Sequence, residues 1–277
     1  MTGRPRRPGP TVRVRVRELT ADAERSREDR VATEEPLEIR LAWPGAEPRR
    51  VWVTMRTPGN DFELSAGWLL HEGLTVPDSI RGVAYCTDVT LTPEQEFNVV
   101  TVTLGEPPAA DPGHRHTALT TGSSACGVCG KDSLDAVMDM PRAEPWSGDP
   151  IPEDVVRSLP DLLRESQPVF DRTGGVHGAA LVTAAGEVLV VREDIGRHNA
   201  VDKVTGARLL AGDSPAEACL VVSGRAGFEL AQKAVSAGIG TLVSVGAPSS
   251  LTVRLAQESG LRVYGFTSAK RCVAYTT

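Results

Sequence analysis

The residues with the most evident chemistry are Cys126 and Cys129, two thiols separated by Gly127 and Val128 within the small-residue stretch 123–131. Thiols at this spacing can face one another, and one that lies beside Lys131 or a helix start ionises more easily than a free thiol. Residues 132–138 read as a helix capped by Asp132 or Ser133, so its positive end points back at the pair. A thiolate so placed attacks sulfur. The same spacing also serves half a zinc site, with His114 and His116 as acceptable further ligands, a dithiol redox couple, or plain packing. Deaminase chemistry fails on motif order, because no His-x-Glu precedes the pair and no proline precedes Cys126.

A second group of reactive types lies further along. In the run Val191 to Lys203, polar residues fall where a strand gives way to a helix. His198 and Asp202 stand four apart, on one helical face, a spacing that can orient an imidazole for proton transfer. Asp194, Arg197 and His198 can equally bind a guanine edge or a ribose, or cap and brace the helix. His177, in a glycine-rich turn, is open between a site residue and a satisfied turn histidine. His71-Glu72 reads as the polar last turn of a helix in preference to an acid/base pair.

Positioning these groups requires a scaffold. From 177 onward the chain alternates regularly, with a hairpin over 179–191, a helix over Gly196 to Leu210 read as amphipathic, and strands at 218–222, 241–245 and 261–266 separated by helices at 226–237 and 249–259. Strand and helix in turn with short joints predict a largely parallel sheet with right-handed crossovers. Ligands of such sheets bind beyond the carboxyl ends of the strands. Ser223-Gly224-Arg225, Gly246 to Ser249 and Thr267 to Arg271 stand there, small residues with Arg225, Lys270 and Arg271 for charge, a phosphate-type site. Neither a Walker loop nor a G-x-G-x-x-G is present.

Ahead of this core, residues 1–20 read as a flexible basic tail and an edge strand in which Val and Arg alternate, and residues 21–35 as charged and irregular. The unit 21–105 reads as α+β, with a hairpin around Pro44-Gly45, a helix from Phe62 to Glu72, and strands over 80–86 and 97–104. Residues 106–140 form a mobile loop carrying the thiols and the helix after them. The C-terminal α/β core spans 141–277, and its first helix, 153–166, is expected to break at Pro160.

Composition narrows the class. The 277 residues are 40% apolar with a net charge of −6 and 4% aromatics, which argues against nucleic-acid binding. No apolar run is long enough for a membrane helix and no signal peptide is evident, so a cytoplasmic protein with reduced thiols is expected. Cys86, Cys219 and Cys272 have no close partners in sequence.

Together these pieces resemble the formate dehydrogenase accessory sulfurtransferase family, the FdhD/NarQ type, from about Pro36 to the C-terminus. The resemblance is carried by Thr57-Pro58-Gly59, Gly67 to Gly73, Cys126 to Gly130, Gly174 to His177, Glu193 to Lys203 and Ser223-Gly224-Arg225. It implies a cytidine-deaminase-like three-layer core without deaminase activity, and a homodimer. It also implies that sulfur is taken from a cysteine desulfurase as a persulfide on Cys126, with Cys129 as partner. The sulfur then passes to molybdenum bis-guanine-dinucleotide cofactor destined for formate dehydrogenase. The family's cofactor-binding segment maps to Phe266, Thr267, Ser268, Ala269, Lys270 and Arg271, where Ser268-Ala269 replaces an expected Arg-Gly. No metal site is implied.

Overall fold

The computed structural model describes residues 7–86, 92, 96–111 and 143–276. The thiol pair, the helix read at 132–138, His114, His116 and the first six residues lie outside them. Three sheets are present: a two-stranded ribbon, a four-stranded sheet and a six-stranded sheet.

The ribbon pairs β1 (Thr11–Leu19) with β2 (Glu24–Ala32), antiparallel and in register from Thr11↔Ala32 to Leu19↔Glu24. Residues 24–32, irregular by sequence, are therefore a strand. Their charges find partners across the ribbon, Arg17 to Glu24 at 2.9 Å and Arg25 to Glu18, which the one-strand pattern does not reveal. These pairs are exposed and add little stability.

In the second sheet β3 (Glu35–Trp43) and β4 (Ala46–Arg56) form the expected hairpin, with Gly45 at φ 82° in the turn. The sheet order is β4-β3-β6-β5, with β5 (Ile80–Tyr85) and β6 (Val99–Leu104). Helix α1 (Asp61–His71) lays Leu64, Trp68 and Leu69 on Leu37, Ile39, Leu41 and Val102. Trp68 stacks on Trp52 with centroids 4.6 Å apart. Asn60 and Gly73 take left-handed conformations at its two ends, and Gly73 ends the helix without the penalty a Cβ would bring.

The six-stranded sheet has the order β12-β11-β10-β9-β7-β8. It comprises β7 (His177–Val182), β8 (Val188–Asp194), β9 (Cys219–Val222), β10 (Thr241–Ser244), β11 (Arg262–Ser268) and β12 (Arg271–Thr276). The expectation of a largely parallel sheet needs correction. Only β9, β10 and β11 run parallel; β7, β8 and β12 pair antiparallel. The connections explain this: short turns after β7 and β11 reverse the chain into antiparallel neighbours, helical crossovers carry β9 to β10 and β10 to β11 in parallel, and the crossover from β8 passes over β7 to set β9 on its far side, antiparallel to it. Strand β12 was not legible as an element; its alternation is weak and none of its residues is buried.

Helices cover both faces of this sheet. On one, α4 (Arg197–Leu210), α5 (Phe228–Ser236) and α6 (Ser250–Ser259) bury Val201, Val204, Leu230, Ala231 and Leu255 against Leu181, Leu220 and Val263. On the other, α2 (Glu153–Glu165) sets Val156, Leu159 and Leu163 on Val182, Val221 and Tyr264. Helix α2 runs through Pro160 without breaking, held by that three-four apolar spacing. The short α3 (Pro168–Thr173) follows, with its first amides capped by the Glu193 carboxylate at 2.9 and 2.8 Å.

The helix read as amphipathic, α4, is not. Every residue from Asn199 to Gly206 is buried, because α1 covers the side of α4 turned away from the sheet. The two helices touch backbone to backbone: a Cβ on Gly206 would lie 1.8 Å from the Glu63 carbonyl oxygen, and one on Gly67 1.9 Å from that of Asp202. No described helix is long and apolar enough to cross a membrane.

Candidate functional site

Three parallel strands end on one edge, and the residues expected there do assemble. The Gly246 amide donates to the Gly224 carbonyl at 2.9 Å, and the Phe266 amide donates to that of Gly246 at 3.0 Å. A continuous backbone row thus links Ser223-Gly224-Arg225, Gly246 and Phe266. Gly246 must be small, since a Cβ there would meet the Arg225 side chain at 2.9 Å. Ser223 is tied sideways to β7: its amide donates to the Gly178 carbonyl at 3.0 Å, and its hydroxyl accepts from the Gly178 amide at 2.9 Å. Arg225 is exposed.

At the far end of the row β11 turns into β12. Phe266 sits at φ 50°, a left-handed conformation that costs an aromatic residue energy, and its ring is 41% exposed. Thr267 is buried, and its hydroxyl has no hydrogen-bond partner. Ser268 pairs with Arg271 to close a turn through Ala269 and Lys270, all four exposed. The Arg271 guanidinium stands over the Phe266 ring, 5.5 Å from its centroid.

At the near end, the first turn of α4 brings Arg197 and His198 beside His177, whose ring packs on Gly224. Burial, followed by electrostatic interaction with Arg197 and His198, pushes the His177 pKa down, so its imidazole is neutral at neutral pH. The pairing of His198 with Asp202 read from their spacing is not made. His198 Nε2 instead lies 2.7 Å from Glu229 Oε2 on α5. Asp202 turns inward, where the His71 Nδ1 is 2.6 Å and the Lys233 Nζ 2.6 Å from its Oδ1.

That inward triad corrects the reading of His71 as a polar last turn. The ring is buried, with 1% of its side chain exposed. Burial depresses its pKa further than Asp202 restores it, so His71 is neutral and donates from Nδ1 rather than forming an ion pair. Burial alone would push the Asp202 carboxyl up, but Lys233 and His71 outweigh it and hold it below the usual carboxylate range.

Asp194, expected to contact a ligand, is fully buried and committed to the protein. Its carboxylate accepts from the amides of Thr57 at 3.2 Å and Gly196 at 2.8 Å and from Asn199 Nδ2 at 3.0 Å, and it pairs with Lys203 Nζ at 2.7 Å. Lys203 also donates to the Thr57 carbonyl at 2.9 Å and that of Glu193 at 3.2 Å. Asp194 thus fixes the start of α4 to the loop after β4, and it serves the row by holding Arg197 and His198 in place. Such a buried pair demands full hydrogen bonding, which it has. A further buried pair, Arg56 and Asp61 (Nε to Oδ1 3.0 Å), braces the same loop with Tyr85, whose hydroxyl donates to Asp61 at 2.8 Å.

Among the described residues no group of three His, Cys, Asp or Glu side chains could hold a metal ion. The row has the composition of an oxyanion site: three arginines (Arg197, Arg225 and Arg271), Lys270 and the imidazoles of His177 and His198. Cys126 and Cys129 lie outside the described residues, as do the zinc ligands His114 and His116.

Comparison with known proteins places this arrangement. A formate dehydrogenase accessory protein from Desulfotalea psychrophila shares the fold, with a TM-score of 0.75 at 23% identity, covering 97% of this chain and 98% of that one. Among curated relatives, the sulfur carrier protein FdhD of Streptomyces avermitilis is 47% identical over 263 residues, 92% of this chain and 90% of its own length. The protein of the same name from Mycobacterium tuberculosis is 47% identical over 276 residues, 96% of each chain. Residues 32–277 match the FdhD/NarQ family, a span that takes in both larger sheets, the strand-end row and the bolts behind it, and the chain belongs to that family.

Proposed function

We propose that this chain is a sulfur carrier and sulfurtransferase that serves formate dehydrogenase. Cys126 takes sulfur from a cysteine desulfurase and delivers it to molybdenum bis-guanine-dinucleotide cofactor, bound as substrate along the strand-end row. The observation that carries the reading is the row itself, found in a chain whose full-length relatives are named as sulfur carriers. Its arginines and Lys270 suit the pyrophosphates of a dinucleotide, and a site built for a simple dithiol exchange would have no use for them.

In loading, the Cys126 thiolate attacks the outer sulfur of the desulfurase persulfide. The desulfurase thiolate leaves, and Cys126 holds the sulfur as a persulfide. In delivery, the reduced metal of the substrate supplies the electron pair for its new bond to the outer sulfur, and the Cys126 thiolate is the leaving group. The chain's task is to bind and orient the cofactor, whose own redox chemistry comes later. The homodimer implied by the resemblance and the cytoplasmic setting expected from composition belong to the same proposal.

The test is mass spectrometry of the full-length protein after incubation with a cysteine desulfurase and cysteine. One added sulfur atom, located on Cys126 and absent from Cys126→Ala, is the expected result. An unmodified Cys126, or stoichiometric zinc in the purified protein, refutes the proposal.

A further inference from the structure

His198 and Glu229 stand on the first turns of two different helices and meet across the gap between them, each side chain about four-fifths enclosed, at 21% and 18% exposure. Their contact decides how the imidazole is presented. Nε2 carries its hydrogen toward the Glu229 carboxylate, which leaves Nδ1 as the nitrogen offered to a ligand on the strand-end row. A neutral ring presents a lone pair at Nδ1. A protonated ring presents a second N–H, a charge-assisted donor suited to an oxyanion.

We propose that Glu229 is a positioning residue: it fixes the His198 ring so that Nδ1, when protonated, donates to a pyrophosphate oxygen of the bound substrate. The role rests on reading the row as the seat of a nucleotide-bearing cofactor. The charged and titratable neighbours are consistent with it. Arg197 adds positive charge from the same turn, and Asp202 on the same helix is engaged by His71 and Lys233. From β8, Asp194 is neutralised by Lys203. From β7, His177 lies within electrostatic reach of Arg197 and His198 and is held neutral. Glu229 is therefore the group that aims the His198 ring at this end of the row.

Full-length protein would be titrated calorimetrically with guanosine diphosphate, with guanosine as the phosphate-free control. The wild type should bind the diphosphate more tightly than guanosine. Glu229→Gln should lose about tenfold in affinity for the diphosphate, the worth of one charge-assisted hydrogen bond, with guanosine binding unchanged, and Glu229→Asp should recover part of the loss. If Glu229→Gln does not fold, His198→Gln should show the same selective loss. Wild-type diphosphate affinity in Glu229→Gln or in His198→Gln, an equal loss toward guanosine, or no diphosphate binding by the wild type would overturn the inference. Sulfur loading on Cys126 uses no nucleotide, so it reports separately on the sulfur-carrier reading.

Discussion

Replacing Gly206 by alanine should destabilise the protein, against what helix propensity predicts. In the middle of a helix, alanine is ordinarily better than glycine by about 1 kcal/mol. Here the new methyl would lie 1.8 Å from the Glu63 carbonyl oxygen, whereas real Cβ contacts essentially never fall below 3.0 Å, so α1 and α4 must part by at least 1.2 Å. Overpacking of this kind costs about 1–3 kcal/mol. The same displacement would carry His71 beyond hydrogen-bond reach of Asp202, from 2.6 Å, leaving a buried charge short of a partner at a further cost of about 1.5–3 kcal/mol. The net expectation is a loss of about 3 kcal/mol. Urea unfolding of Gly206→Ala beside the wild type, with midpoint and slope fitted separately, measures it. A variant as stable as the wild type, or more so, would mean that the two helix backbones are not in contact, and the account of why α4 is buried all round would fail.

Three other outcomes follow from particular polar groups. The His71 pKa is held down in the fold, so the unfolded chain binds that proton more readily. Its contribution is complete above the unfolded value of about 6.5 and declines as pH falls toward the folded value, with a slope approaching about 1.4 kcal/mol per pH unit; His71→Gln should remove that part of the acid sensitivity in urea midpoints measured across pH. Asp61→Leu leaves the fully buried Arg56 guanidinium with the Glu35 carboxylate, 3.6 Å away, and should cost about 3 kcal/mol by thermal unfolding, and a loss under about 1 kcal/mol would show that solvent reaches Arg56. Ser249 caps α6 by accepting the Thr252 amide at 3.2 Å, so Ser249→Ala should lose about 1 kcal/mol, whereas Ser249→Asp should hold stability near the wild type in the same melts.

The core of the fold was legible because its signals are local. Each parallel strand is a short apolar run closed by small residues, and each intervening helix starts and stops at recognisable caps; Ser249 and Gly260 do this for α6. The β7–β8 hairpin was legible from its turn, but β12 was not, and neither was the antiparallel pairing of β9 with β7, which depends on a neighbour distant in sequence. The strand-end row could be anticipated from Ser223-Gly224-Arg225 and the turn after β11, for position at a strand's carboxyl end is itself a chemical signal. The partners of His198, Asp202 and Asp194 could not. Helical spacing suggested His198 with Asp202, but the packing of α5 supplied Glu229 and that of α1 supplied His71. One sign was available in hindsight: glycines at 67 and 206 inside helices pay a propensity cost that only close approach repays. With that contact in view, the polar Asn199, Asp202 and Lys203 read as interior groups.

The meeting of α1 with α4 also bears on how the chain is made. His71 and Asp202 are 131 residues apart, and a chain emerging from the ribosome presents the earlier helix long before the later one exists. Until then the outward side of α1, with its glycine notch and its unsatisfied imidazole, has nothing to rest on. The amino-terminal sheet, complete by Leu104, must wait with α1 uncovered for the translation of residues 197–210, and it is in that interval that a nascent chain most needs protection from its neighbours.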